Sequence, residues 1–167
     1  MEEHNKTHYR RSTLDDAQSV FDLVSASVRR LTPTPYSAEV VATWMSGRVA
    51  ADYNDDCQNQ EIWIAEGKGQ PIGFSHGVPG EVKRLFVDAN YIGKGAGAGL
   101  MRLALDDAMT QGTTTVRIEA TLNAVPFYHR WGFKEVGHGV FPGRTEDLPA
   151  IDVVILEAEV KDLLASK

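Results

Sequence analysis

The stretch Tyr91-Ile92-Gly93-Lys94-Gly95-Ala96-Gly97-Ala98-Gly99-Leu100 decides how the rest of the chain is read. Upstream, Val82 to Val87 carries apolar Val82, Leu85 and Val87 and reads as a strand. Downstream, Leu100, Met101, Leu103, Ala104, Leu105 and Ala108 recur at helical spacing, and Gly112 supplies a stop. A strand therefore enters the glycine-rich turn and a helix leaves it. Glycine keeps Cβ atoms out of the way of a bulky anion approaching the backbone N–H groups. At a helix N-terminus those donors and the helix dipole suit a pyrophosphate. A plain strand-to-helix connection has the same composition, so the turn needs context.

Two familiar phosphate motifs do not fit. A P-loop requires Ser or Thr after its Gly-Lys, and Lys94 is followed by Gly95. The dinucleotide fingerprint G-x-G-x-x-G breaks at Ala98 and Leu100, and the turn follows several strands, not the first. A third motif lies upstream. Gly73-Phe74-Ser75-His76-Gly77 satisfies G-x-S-x-G, the serine hydrolase elbow. That elbow belongs on a strand-to-helix turn, whereas Val78-Pro79-Gly80 leads into another strand. A hydrolase using Ser75 is the remote alternative.

Outward from the turn, the pattern alternates between strands and helices. His8 to Ser12 reads as a first strand. Thr13 reads as an N-cap with Asp15 and Asp16 in the first turn, and Ala17, Val20, Phe21, Val24 and Val28 carry a helix to about Arg30. Pro33 and Pro35 break the chain, and Ser37 caps a second helix with Val40, Val41 and Trp44. Asn54 to Gln60 reads as a polar loop. Ile62 to Glu66 and Ile72 to His76 are short strands joined by the hairpin-like Gly67-Lys68-Gly69-Gln70-Pro71. Thr115 to Ala120 is a strand, Val125 to Arg130 a short helix stopped by Gly132, and Phe133 to His138 and Ile151 to Glu159 are late strands. The expectation is one α/β domain over residues 1–167 with a mixed sheet of about seven strands and about four helices, residues 1–7 forming a flexible tail.

The bulk numbers agree with this. The 167 residues suit one domain. Hydrophobic residues make up 43% and charged residues 24%, an ordinary soluble balance. No apolar run approaches the ~18 residues of a membrane span, and the polar N-terminus is no secretory signal. Cys57 is the only cysteine, which rules out an internal disulfide and suits a reducing cytoplasm. A net charge of −6 argues against a nucleic-acid partner and is compatible with a cationic amine. His4 and His8 lack a third ligand, and no metal site is expected.

With a second motif, the residues resemble the GCN5-related N-acetyltransferase (GNAT) superfamily. Leu85-Phe86-Val87-Asp88, then Tyr91 and Gly93-Lys94-Gly95-Ala96-Gly97, look like its strand-loop-helix acyl-CoA motif. Asn123-Ala124-Val125-Pro126-Phe127-Tyr128-His129-Arg130-Trp131-Gly132-Phe133 looks like its second signature. The element order from Tyr9 to Glu159 also agrees. Two positions depart from the family: Ile92, where it often has Gln or Arg assisting phosphate binding, and Ala89, where it commonly has Pro.

The resemblance implies an N-acetyltransferase that moves acetyl from acetyl-CoA to a primary amine by direct attack in a ternary complex. A non-catalytic acyl-CoA sensor on the same fold is the alternative. Ile92, Gly93, Lys94, Gly95, Ala96, Gly97 and Ala98 would hold the pyrophosphate. Leu85, Phe86 and Val87 would pair their backbone with the pantetheine arm in a gap beside the Thr115 to Ala120 strand, and their N–H groups could meet the oxyanion. Tyr128 stands at the family's general-acid position, with Phe127 beside it; the other reading of Tyr128 is a core residue. Asn123 would bond pantetheine, cap the short helix, or both. Glu81 resembles the catalytic base of the histone-acetyltransferase branch, and His76 and Glu119 are its rivals. Cys57 is an incidental thiol, not a nucleophile. The acceptor is a small molecule or a peptide amine; its pocket would form from Val28 to Tyr36 and from the loop containing Phe141-Pro142-Gly143-Arg144. A homodimer is left open.

Overall fold

The computed structural model of the chain describes residues 6–110, 112–141 and 151–165. Among these, the strands are β1 (His8–Arg11), β2 (Ile62–Gly67), β3 (Gln70–Val78), β4 (Glu81–Val87), β5 (Thr115–Thr121), β6 (Lys134–Phe141) and β7 (Ile151–Glu159). They form one seven-stranded sheet in the order β1-β2-β3-β4-β5-β7-β6. β4 and β5 run parallel, while β1–β2, β2–β3, β5–β7 and β6–β7 run antiparallel. The helices are α1 (Ala17–Arg29), α2 (Ala38–Met45), α3 (Asn54–Gln58), α4 (Ala96–Ala108), α5 (Val125–Arg130) and α6 (Val160–Ala165). The mixed α/β class and the seven strands are as expected; among the described residues the helices are six against an expectation of about four, α3 and α6 being the additions. The chain divides into two compact units, one of Met1–Ser27, Arg48–Val78 and Val82–Asp107, the other of Val28–Gly47, Pro79–Glu81 and Ala108–Lys167.

In the first unit, the β2–β3 hairpin closes through Lys68 and Gly69 alone, with φ of 53° and 76°. Two central residues at positive φ give the type I′ turn whose twist matches the flanking strands. Ala65, Ile72, Ala96 and Leu100 are buried together, with Tyr9, Trp63, Leu85, Val87 and Tyr91 packed against them. The apolar stripe of α4 is thus seated on β2, β3 and β4. Gly99 permits that seat, since a Cβ there would run into the Tyr9 ring. Ion pairs fasten the edge: Arg10 holds Asp16 through two bonds of 2.8 Å, and Arg11 holds Asp107 at 2.7 and 2.8 Å. Asp16 also accepts the Thr13 N–H at 2.8 Å, which starts the α1 approach. The Arg10 bonds hold the Asp16 carboxyl below its usual range.

The segment Asn54 to Gln60 corrects the loop expectation. Asn54–Gln58 is α3, and Tyr53 and Cys57, four residues apart, both turn inward. Only these two side chains among polar neighbours mark the buried face, too few for a visible period. Cys57 is therefore buried, not in a solvated loop, and burial pushes its thiol up to about 11. That protects against ionisation and leaves it unsuited to nucleophilic work.

In the second unit, β7 pairs with β5 from Thr115↔Glu159 to Thr121↔Val153 and with β6 on its other side. Ser37 caps α2 as expected, its Oγ accepting the Val40 N–H at 3.2 Å. Tyr36 is buried; its Oη donates to the Asp152 carbonyl at 2.6 Å and accepts the Leu122 N–H at 3.0 Å. One phenol thereby ties the α2 approach to β7 and to the turn leading into α5. The helix α4 ends at Ala108, ahead of Gly112, where the Gly80 N–H takes the Ala108 carbonyl at 2.8 Å. A backbone donor there satisfies one of the orphan carbonyls of the helix end.

Candidate active site

The glycine turn follows a short 3-10 turn, Ala89–Tyr91, that Asp88 caps by accepting the Asn90 N–H at 2.8 Å. Gly93 and Gly95 then adopt φ of 82° and 91°. A Cβ on either would meet no atom within 4 Å, so positive φ selects glycine, and the space in front of the backbone is open. The Gly99 N–H reaches the Gly95 carbonyl at 3.1 Å and begins the α4 ladder. The amides of Ala96, Gly97 and Ala98 precede that ladder and have no acceptor in their own helix. A phosphate-bearing ligand fits such donors at a dipole's positive end. Ile92 is 59% exposed and has no polar atom to add. Lys94 brings a cation, its Nζ 5.5 Å from the Tyr91 ring centroid.

Leu85 and Val87 commit their side chains to the α4-facing core. Phe86 packs against Phe74, ring centroids 5.6 Å apart. Their backbone is what they can offer a ligand. Gly93, Lys94 and Gly95 lie at the surface, and Gly97 and Ala98 are half-buried beside buried Ala96.

In the second unit, α5 begins at Val125 with Pro126 in its first turn, where a missing N–H costs nothing. Tyr128 is buried on it, meeting Phe127 edge-on at 5.3 Å and Phe133 at 6.4 Å. Burial pushes its phenol well above the usual range. It is a neutral hydroxyl over the whole physiological range, the state a proton donor requires. Asn123 is exposed in the 3-10 turn before α5. The residue preceding α5 is Ala124, and no side chain caps it, so the capping role expected for Asn123 is absent.

Glu81 is half-buried at the start of β4, where it forms the register pair of β4 with β5, opposite Arg117. Arg117 directs its guanidinium to Glu119, 3.0 Å away, and both side chains are well exposed. Glu119 is thereby an ion-paired surface carboxylate.

His76, the other rival base, is fully buried in the first unit. Its Nδ1 lies 3.1 Å from an Arg84 nitrogen and its Nε2 3.1 Å from Glu61 Oε1. Arginine only donates, so Nδ1 accepts and the proton sits on Nε2, given to Glu61. Both nitrogens are engaged, and burial, with Arg84 adding to it, lowers the His76 pKa. This arrangement leaves no site for a substrate proton. Asp56, Glu61 and His76 bring ligand-type atoms within 4.8 Å of one another. Arg84 already occupies the position of a cation there, 2.7 Å from Asp56 Oδ2. Sequence reading gave no signal for this network, because Arg84 is one basic residue on a strand. Ser75, also fully buried, donates its Oγ to the Leu100 carbonyl at 2.9 Å. It lies inside β3, not on a strand-to-helix turn, so the hydrolase alternative lacks its elbow.

Phe141 to Arg144, expected beside the acceptor, lies outside the described residues apart from the β6 end, as does most of the N-terminal tail.

Comparison with known proteins bears on these features. A family model described as an acetyltransferase (GNAT) domain matches residues 32–142. The uncharacterized N-acetyltransferase YafP of Escherichia coli is 24% identical over 117 residues, covering 68% of this chain and 74% of that one. A solved GCN5-related N-acetyltransferase from Rhodopseudomonas palustris superposes with a TM-score of 0.83 at 21% identity, over 93% of this chain and 96% of that one. The PaiA N-acetyltransferase of Thermoplasma acidophilum, solved with coenzyme A, gives 0.65 at 18% identity over 92% and 99%.

Proposed function

Because the chain belongs to the acetyltransferase (GNAT) family, it is an acetyl-CoA-dependent N-acetyltransferase, and we propose that its acceptor is a primary amine that attacks the thioester directly. The observation that carries the residue assignments is the open space before Gly93 and Gly95 beside the free first-turn amides of α4. In this reading those amides and Lys94 hold the pyrophosphate of acetyl-CoA, as a substrate. Backbone groups of Leu85 to Val87 hold its pantetheine arm, and the family resemblance is what assigns Asn123 and Phe127 to the same cofactor.

The chemistry runs in one transfer. The neutral amine nitrogen forms a bond to the acetyl carbonyl carbon, and the carbonyl oxygen takes up negative charge, met by a strand N–H. The carbon–sulfur bond breaks as the amide forms. The departing thiolate, whose ordinary pKa is about 8.5, takes the Tyr128 proton. The amine's extra proton passes to Glu81, directly or through water. A covalent acyl-enzyme is not needed, and buried Cys57 offers no thiolate for one.

The acceptor is a small molecule or a peptide amine. Among the described residues no helix is long and apolar enough to cross a membrane. A lone cysteine and an acidic charge suit a cytoplasmic setting. Thiol release from acetyl-CoA, measured across a panel of amines, tests the reading. Amine-dependent release is the expected result; tight acetyl-CoA binding with no release for any amine would make the chain a sensor instead.

A further inference from the structure

Beside the glycine turn, the first unit holds a cavity of about 360 Å³ whose far wall, Gly67, Lys68 and Ile72 of the β2–β3 hairpin, lies outside the motif residues Tyr91, Lys94 and Ala96 that form its near wall. Its walls include Thr7, Lys68, Ile72, Asn90, Tyr91 and Lys94. Two of these are lysines from different elements: Lys94 from the glycine turn and Lys68 from the β2–β3 hairpin. Among the described residues neither lysine has a carboxylate partner. Lys94 sits near the Tyr91 ring, 5.5 Å from its centroid, which supplies an aromatic face beside the charge. Lys68 occupies a position with φ of 53°, where a type I′ turn prefers Asn, Asp or Gly.

We propose that this cavity is a phosphate subsite, with Lys68 and Lys94 as its cations. Lysine binds phosphate as a point charge, and a cavity of this size accommodates a phosphorylated group of a small molecule. The subsite also answers a deficit in the sequence, since Ile92 offers no side chain to a phosphate. The phosphate belongs either to coenzyme A, in which case the inference rests on the acyl-CoA reading, or to a separate phosphorylated ligand.

The test is calorimetric binding of inorganic pyrophosphate, coenzyme A and 3′-dephospho-coenzyme A to the full chain and to Lys68→Gly, Lys68→Glu and Lys94→Gln. Lys68→Gly removes the charge and relieves the left-handed φ, so a weakened ligand cannot be blamed on a weakened fold; its melting temperature should hold or rise. Lys134→Glu, at an exposed position, controls for net charge. Loss of one exposed charge is expected to weaken pyrophosphate roughly one-and-a-half- to fivefold, with a larger loss for Lys68→Glu and a smaller loss at high salt. If coenzyme A supplies the phosphate, its affinity falls in parallel, and the dephospho form shows whether the 3′-phosphate is the one held. If pyrophosphate weakens and coenzyme A does not, the subsite serves a separate ligand. Lys68-dependent pyrophosphate binding by a chain that ignores coenzyme A would sink the acyl-CoA reading and keep the subsite. Pyrophosphate and coenzyme A binding unchanged in all three variants would overturn the subsite and remove Lys94 from the cradle, leaving the acyl-CoA reading to the α4 amides alone.

Discussion

Around Gly93 to Gly97 the chain offers backbone amides, exposed surface and empty space; around Tyr128 it offers one side chain packed between Phe127 and Phe133. The first region binds by leaving atoms out, since each missing Cβ is room for a ligand. The second works by holding a hydroxyl neutral and fixed. Substitutions should therefore act oppositely. In the turn, a side chain added at Gly93 or Gly95 takes ligand space and harms binding, while the exposed side chains beside them adjust it only by the modest effect of a surface charge. On α5, one oxygen atom matters and the ring around it is structure.

The largest expected effect is at that oxygen. Tyr128→Phe keeps the ring contacts and removes the proton donor, so kcat should fall about a hundredfold or more, with KM for acetyl-CoA and the melting temperature little changed. Steady-state kinetics over several amines measure this. A variant as fast as the wild type would leave Tyr128 as a core residue only.

Gly95→Val tests the opposite design. Valine must accept a φ near 91°, a strain of order 1–3 kcal/mol, and its side chain enters the open space. Coenzyme A affinity should drop by roughly ten- to a hundredfold, more than the accompanying loss of stability explains. Equilibrium binding beside thermal unfolding separates the two. Unchanged affinity removes the cradle from this turn.

A smaller contrast lies in what supports each region. The first unit rests partly on charges, with Arg10–Asp16 and the Glu61–His76–Arg84 network, whereas Tyr128 rests on aromatic rings. The folded His76 pKa lies below its ordinary 6.5, so the unfolded chain binds the extra proton first. Its contribution is complete above pH 6.5 and is lost as pH falls below that value. Asp16, whose folded pKa is lowered, contributes above its ordinary 3.8 and loses that contribution as pH falls further. For one group the slope is at most about 1.4 kcal/mol per pH unit. Once the slowing of intrinsic exchange with falling pH is divided out, amide protection should therefore fall in β3 and β4 before it falls in α5 and β7 between about pH 7.5 and 5. Equal protection of both sets across that range would remove the contrast.

Much of this was legible in the chain itself, for reasons that differ by segment. β4, the glycine turn and α4 were readable because the apolar period changes from two to helical spacing across a run of glycines. Val125 to Arg130 was readable to the residue because Pro126 and Gly132 mark its ends. The helix α3 was not, because Cys57 is its one buried residue and Tyr53, just before it, is the only other inward anchor nearby. Partnerships were invisible wherever they are remote in sequence. Tyr36 reaches Asp152 across 116 positions, and nothing local marks that bond. Asn123 looked like a cap by residue type, yet the chain places it one residue too early to cap α5. The roles of Glu81 and Tyr128 came from a resemblance, because neither a lone carboxylate at a strand start nor a tyrosine on a short helix carries a local pattern that marks it as catalytic.

The smallest expected effect probes the turn's one missing side chain. Ile92 is 59% exposed, so Ile92→Arg places a guanidinium at the surface with little cost to the core. An exposed ion pair contributes about 0.2–1 kcal/mol, which is a roughly one-and-a-half- to fivefold gain in coenzyme A affinity at low salt, fading as salt rises. The informative comparison is the same substitution in the Lys68→Gly background. Two cations serving one phosphate are coupled, so the gain from Ile92→Arg should be larger when Lys68 is absent. Cations serving separate phosphates should act additively. No gain in either background would mean that the α4 amides with Lys94 already saturate the anion, and that the departure at position 92 costs this chain nothing.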